Sequence, residues 1–338
     1  MPYHFKALQF TSAFFRTDAG FLFGDIDLLL NGIHAGQVGQ QQPAATAFGH
    51  QHAVPFYIQG ATIMSYTCLY CHHHCTLQEG RTGFCRVRTL QDGKNVCGNY
   101  GFLTSLALDP IEKKPLNRFY PGTTILSLGS YGCNLRCPFC QNFSISQYGR
   151  DAFQPVIARP EQIAAKALEL KNRNNIGVAF TYNEPLLSWE FIRDTGELVH
   201  RNGQKNVVVT NGNFSVEIAK SLAGIVDAYN IDLKGFTPEW YKTLGGDLEM
   251  VKAFITEACK TAHVELTTLI VPKENDSPEE MEAIAQWIAS RSPDIPLHVS
   301  KFFPRWNMVD RNETPAARVY RLADVARNYL KYVYTGNC

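Results

Sequence analysis

Thr124-Ile125-Leu126-Ser127-Leu128-Gly129-Ser130-Tyr131-Gly132-Cys133-Asn134-Leu135-Arg136-Cys137-Pro138-Phe139-Cys140-Gln141-Asn142 is the stretch on which the reading of this chain turns. It opens on a short β-branched and apolar run that stops at Gly129, the pattern of a buried strand. The loop that follows spaces its cysteines as C-x3-C-x2-C. Thiolates hold iron–sulfur clusters, and Cys133, Cys137 and Cys140 can take three corners of a [4Fe–4S] cubane. A fourth cysteine would close the site. Three leave one iron open to an outside ligand, as a catalytic zinc keeps an open position. Zinc is the competing reading, but it wants a fourth protein ligand and none is adjacent.

Downstream, strand and helix patterns alternate. Strands are expected at 177–182, 206–210, 228–233, 263–271 and 296–300. Helices are expected at 162–173, 188–202, 248–261 and 278–290, and a last one is expected with Thr314 as cap and Pro315 at its first position. Such alternation implies parallel strands joined by crossover helices. About six units fit, fewer than the eight of a full TIM barrel. The expected architecture is an α/β fold, an incomplete (β/α)6 TIM-type barrel over 102–338, with a small cysteine-rich metal-binding segment before it. In such folds the site lies at the carboxyl ends of the strands.

Composition narrows the function classes. Lys and Arg number 32 against 31 Asp and Glu, so no basic field recommends nucleic acid or an anionic membrane as partner. No apolar run is long enough to span a bilayer. Eight of the ten cysteines fall within 68–140. With no clear signal peptide, a cytoplasmic, reducing compartment is expected, where clustered thiols mean metal or redox chemistry.

Residues 1–63 hold a Gln-, Gly- and Ala-rich stretch without apolar period and read as a poorly ordered extension. Met64 just after it suggests a misassigned start. Residues 64–101 carry Cys68, Cys71, Cys75 and Cys85, three consecutive histidines, and too little apolar sequence for a core of their own. Four thiols suit a tetrahedral zinc or a second iron–sulfur cluster, and His72, His73 or His74 could replace one of them. Cys97 is a spare ligand or a buried small hydrophobe, and Cys259 a packing residue.

The chain resembles the radical S-adenosylmethionine (SAM) enzymes from about Tyr66 onward, and within them the pyruvate formate-lyase-activating-enzyme-like group. It is most similar to the branch called the AmmeMemoRadiSam system radical SAM enzyme. The match rests on Asp109-Pro110-Ile111-Glu112-Lys113-Lys114-Pro115-Leu116, on Phe119-Tyr120-Pro121-Gly122, on the cysteine loop with Gln141-Asn142, and on Cys68-x2-Cys71-x3-Cys75 with Gly83-Phe84-Cys85. The resemblance implies that SAM binds the open iron. One electron then cleaves its C–S bond, and the resulting 5′-deoxyadenosyl radical abstracts hydrogen from a substrate. It also implies a flavodoxin- or ferredoxin-type electron donor, and Memo-type and AMMECR-type partners. A family member often continues past the position of Cys338 with a short cysteine-containing tail.

The resemblance carries further residues toward SAM. Phe139 would border the adenine, or else anchor the loop in the core. Asn183 and Glu184 stand where the superfamily often has glycines and a glutamate for the SAM amino group; Glu184 could instead favour a helix N-terminus. Thr210 and Asn211 would lie near the ribose and carboxylate. Lys234 would pair with the carboxylate, or form a local ion pair with Asp232. Val209 replaces an aspartate common in activating enzymes. His298 would touch SAM or substrate, or be a satisfied core histidine. Two other readings share the metal loop. One is an activase that places a radical on a glycyl-radical enzyme. The other is a non-catalytic iron–sulfur or zinc binding module.

Overall fold

The computed structural model describes residues 54–58, 61–154 and 156–338. The expected extension over 1–63 lies largely outside the described residues; within it Val54–Ile58 (β1) pairs antiparallel with Ala61–Thr67 (β2). Thr76–Gln78 (β3) completes a three-stranded sheet, and Arg88–Gln91 (β4) forms a hairpin with Lys94–Cys97 (β5). Phe102–Leu103 (β6) and Val156–Ile157 (β9) make a two-residue ladder.

The central sheet comprises Ser105–Pro110 (β7), Thr124–Gly129 (β8), Asn175–Phe180 (β10), Lys205–Thr210 (β11), Ala228–Asp232 (β12), His263–Ile270 (β13), Leu297–Lys301 (β14) and Val333–Gly336 (β15). Its order is β15-β14-β13-β12-β11-β10-β8-β7, and every pair except β7·β8 is parallel. The sheet is therefore mostly parallel with helical crossovers, as the alternation requires and as a partial barrel would have. It exceeds the expected six units at both edges. β7 runs antiparallel beside β8, and β15 adds a seventh parallel strand at the other edge.

The helices bury one face each. Trp189–Arg201 places Trp189, Phe191, Ile192, Thr195, Gly196 and Val199 inside, and Pro278–Arg291 buries Met281, Ile284, Ala285 and Ile288. The last helix runs Ala316–Arg327 with Pro315, not Thr314, at its cap. Thr314 is wholly buried, and its hydroxyl donates to the Ile270 carbonyl instead, tying the helix entry to β13.

Ile111 and Leu116 pack with Ile125, Ala179, Val207 and Ala228 in a separate apolar cluster. Ile125, Val207 and Ala228 stand in the first halves of their strands. The segment from Ile111 to Arg118 thus covers the amino-terminal side of the sheet. The cysteine loop leaves the carboxyl end of β8, on the opposite side.

Candidate metal centre and cofactor site

The cysteine loop is held by backbone bonds that its own sequence makes possible. Gly132 N–H donates to the Ile145 carbonyl at 2.9 Å, Arg136 N–H to Leu244 at 2.8 Å, and Asn307 N–H to Pro138 at 2.9 Å. Gly132 has φ +87°, and a Cβ there would meet Val87 Cγ2 at 2.5 Å and the Cys85 carbonyl at 2.7 Å. Only glycine fits both that conformation and that approach.

Leu135, Cys137, Phe139, Trp240, Leu244, Val271, Phe302 and Met308 form an apolar cluster against which Cys133 and Cys140 pack. Burial pushes all three thiols up, Cys137 to about 12. N–H donors nonetheless point at sulfur. Leu135 N–H lies 3.3 Å from Cys133 Sγ, Asn211 Nδ2 lies 3.7 Å from the same atom, and the Asn142 backbone reaches Cys140. A neutral thiol is a weak acceptor, whereas a metal-bound thiolate uses such donors.

Glu184 follows β10 and is 2% exposed. Its Oε1 accepts from the Thr210 hydroxyl at 2.7 Å and from Leu186 N–H at 3.1 Å, which caps the short helix Pro185–Ser188. Its Oε2 accepts from Asn211 N–H at 2.8 Å. Burial raises its pKa to about 7 against these three donors. Asn211 Nδ2 continues to Asn134 Oδ1 at 2.8 Å, and Asn134 Nδ2 donates to the Asn213 carbonyl at 2.9 Å. Asn183 accepts from Ser130 N–H at 3.0 Å and donates to the Tyr131 and Gly132 carbonyls. The structure thus brings Asn183, Glu184, Thr210 and Asn211 together around the base of the cysteine loop. There they bond one another and the loop.

Lys234 Nζ lies 2.7 Å from Asp232 Oδ2. Burial disfavours its charge, but Asp232 and the neighbouring Cys137 outweigh that and raise its pKa. Trp240 Nε1 and Asn275 Nδ2 donate to the Lys234 carbonyl. Phe139 stacks on Trp240 at 5.9 Å and meets Phe302 edge-on at 6.2 Å. Val209, beside Thr210, is half-buried.

His298 is not part of this group. It is the second residue of β14, and its Nε2 lies 2.6 Å from Glu265 Oε2. Glu265 is fully buried and also takes His263 and the backbone N–H groups of Asn117 and Arg118. Burial would raise its pKa, yet these donors hold it at about 2.

Several residues of the site escaped sequence reasoning. Asn134 and Asn213 link the loop to β11, and Tyr182 stands at φ +74° with its hydroxyl 2.6 Å from Asp109 Oδ2. Lys114 Nζ bonds the same carboxylate oxygen at 2.7 Å and lies over the Tyr182 ring. The Asp109 and Lys114 of the quoted motif thus meet the residue just before Asn183. The Asn211-Gly212-Asn213 run was the available signal for Asn213; a left-handed tyrosine leaves none.

Among the described residues no group of three or more His, Cys, Asp or Glu side chains is arranged to hold a metal ion as it stands. A cubane puts each thiolate on a separate iron. The donor set of the loop, three thiols with no fourth cysteine and with N–H donors from neighbouring residues on Cys133 and Cys140, fits that chemistry.

Comparison with known proteins covers the same region. A family model described as the Radical SAM superfamily matches residues 128–288. The uncharacterized Methanocaldococcus jannaschii protein MJ0808 is 40% identical over 281 residues, covering 80% of each chain. A second uncharacterized protein of that organism, MJ0674, is 30% identical over 173 residues, 49% of this chain and 45% of that one. Streptococcus suis SuiB bound to its precursor peptide SuiA superposes with a TM-score of 0.51 at 14% identity, over 68% of this chain and 51% of SuiB. SuiB bound to S-adenosylmethionine gives 0.50 at 14% identity, over 63% and 52%. At such identity the likeness is one of fold, and this chain spans about half of SuiB. The chain therefore carries a radical SAM superfamily domain over residues 128–288 and belongs to one family with MJ0808.

Proposed function

We propose that the chain acts as a radical SAM enzyme of the AmmeMemoRadiSam type, with Cys133, Cys137 and Cys140 as the ligands of a [4Fe–4S] cluster. One observation carries the reading: three cysteines gathered in one apolar cluster, and no fourth, in a loop at the carboxyl end of a parallel strand. When bound, the cluster and SAM supply low-potential electron transfer and a 5′-deoxyadenosyl radical for hydrogen abstraction.

The chain's own residues bind, orient and exclude water. Lys234, held by Asp232, is the cation suited to the SAM carboxylate. Glu184 stiffens the loop by fixing Thr210 and Asn211, whose side chains also bond Gly212, Asn213 and Asn134 and so hold the strand ends rigid beside the cysteines. Phe139, backed by Trp240 and Phe302, offers an apolar face for the adenine and keeps water from the thiols. A flavodoxin- or ferredoxin-type donor and Memo-type and AMMECR-type proteins are the partners of this reading.

The test is the EPR spectrum of the anaerobically reconstituted, dithionite-reduced protein. Added SAM is expected to change the signal of the parent. A parent spectrum indifferent to SAM would contradict the proposal.

A further inference from the structure

The N-terminal cysteines show a second, independent arrangement. Cys68, Cys71, Cys75 and Cys85 all line one cavity, together with Tyr70, Leu77, Phe84, Arg88, Leu187 and Phe214. Each of the four sulfurs receives an N–H. Cys75 Sγ accepts from Phe84 N–H at 3.3 Å, Cys85 Sγ from Arg88 N–H at 3.4 Å, and Cys68 Sγ from Asn95 Nδ2 at 3.4 Å. The backbones of Tyr70 and Val87 add bonds to Cys68 and Cys85, and that of His73 supplies the one to Cys71. Nearby Cys97 behaves oppositely. Its Sγ donates to Asn99 Oδ1 at 3.0 Å, as a packed thiol does, and it is absent from the cavity wall.

His72 and His73 are engaged elsewhere, and among the described residues no histidine lines the cavity. His72 Nδ1 meets Asn213 Nδ2 at 2.6 Å and His73 Nε2 meets the Asn134 carbonyl at 2.9 Å. They dock the segment on the SAM-site loop, so the four sulfurs are a complete ligand set without an imidazole.

The arrangement of the sulfurs favours one metal centre over the other. A zinc ion draws its four thiolates to about 2.3 Å around a single point. Among the described residues no three His, Cys, Asp or Glu side chains are gathered to hold one ion, and the four sulfurs are set around the wall of one cavity instead. Sulfurs so set apart, each with an N–H aimed at it, suit a polynuclear centre whose thiolates stand on separate irons.

We propose that Cys68, Cys71, Cys75 and Cys85 bind a second [4Fe–4S] cluster, closed to outside ligands because every corner carries a protein thiolate. The site adjoins the first one: the Cys85 carbonyl lies against Gly132, the residue before Cys133.

The inference does not rest on SAM chemistry and is tested apart from it. The Cys133→Ala/Cys137→Ala/Cys140→Ala variant is reconstituted anaerobically, and its iron, sulfide and zinc are counted. It is expected to keep about four iron per chain, against about eight in the parent, with a reduced-state EPR signal that SAM leaves unchanged. Adding Cys68→Ser and Cys71→Ser should remove that iron. A triple variant that retains a folded circular dichroism spectrum but no iron, or holds one zinc instead, overturns the inference. The parent decides the same question should the variant fail to fold: about four iron whose EPR signal responds wholly to SAM, with or without one zinc, overturns it.

Discussion

Glu184 accepts the backbone N–H of Asn211 at 2.8 Å, so a carboxylate that follows one strand fixes the first residue after the next. With Thr210 and Leu186 it satisfies three buried donors at once. Glu184→Ala orphans them and is expected to cost about 2–4 kcal/mol in denaturant unfolding. Glu184→Gln keeps one acceptor oxygen and should cost less. An alanine variant as stable as the parent would show that the knot is incidental.

Gly132 separates conformational strain from collision. Gly132→Ala meets both a positive φ and contacts under 3 Å with Val87 and Cys85, while Gly80 has φ +71° and open space around it. Gly80→Ala should cost about 1–2 kcal/mol, the left-handed penalty alone. Gly132→Ala should cost clearly more and lower the iron bound on reconstitution. Equal losses in the two variants would argue against the close approach of the two cysteine segments.

Arg88 joins the cysteine-rich segment to the helix Trp189–Arg201 that flanks the central sheet. It is 1% exposed, and its two terminal nitrogens each lie 2.9 Å from a Glu190 oxygen. Arg88→Ala leaves Glu190 buried without its partner and is expected to cost about 3–5 kcal/mol. The double variant Arg88→Met/Glu190→Met should recover much of that. Thermal melts of the three proteins check the order.

Acid should reveal Glu265. Its pKa is depressed from 4.5 to about 2, so the unfolded chain binds the proton first as pH falls. The stability it contributes is present above pH 4.5 and is lost as pH drops toward 2. The depression corresponds to about 3 kcal/mol. Glu265→Gln should therefore be less stable than the parent at neutral pH, with the gap closing between pH 4.5 and 2. A gap that stays constant through that range would contradict the depression.

What the sequence disclosed follows the range of each interaction. The C-x3-C-x2-C loop and the strand before it are local, and the alternation of β10 to β14 with helices shows because parallel strands are buried on both faces. β7 and β15 did not show, since one is antiparallel to a neighbour across a long loop and the other is four residues long. Thr314 looked like a cap because it precedes Pro315, yet a bond to Ile270, 44 residues away, claimed its hydroxyl. Glu184, Thr210 and Asn211 were legible as residues, but not the bonds among them, which depend on β10 lying beside β11. His298 stood on the expected strand. Its pairing with Glu265 is a register fact that no local pattern encodes.

The most direct measurement is dithionite-dependent formation of 5′-deoxyadenosine from SAM by the anaerobically reconstituted protein, with the Cys133→Ala/Cys137→Ala/Cys140→Ala variant beside it. The product should form with the parent and be absent with the variant. A parent that carries its full iron and sulfide yet yields no 5′-deoxyadenosine would contradict the radical reading of the site.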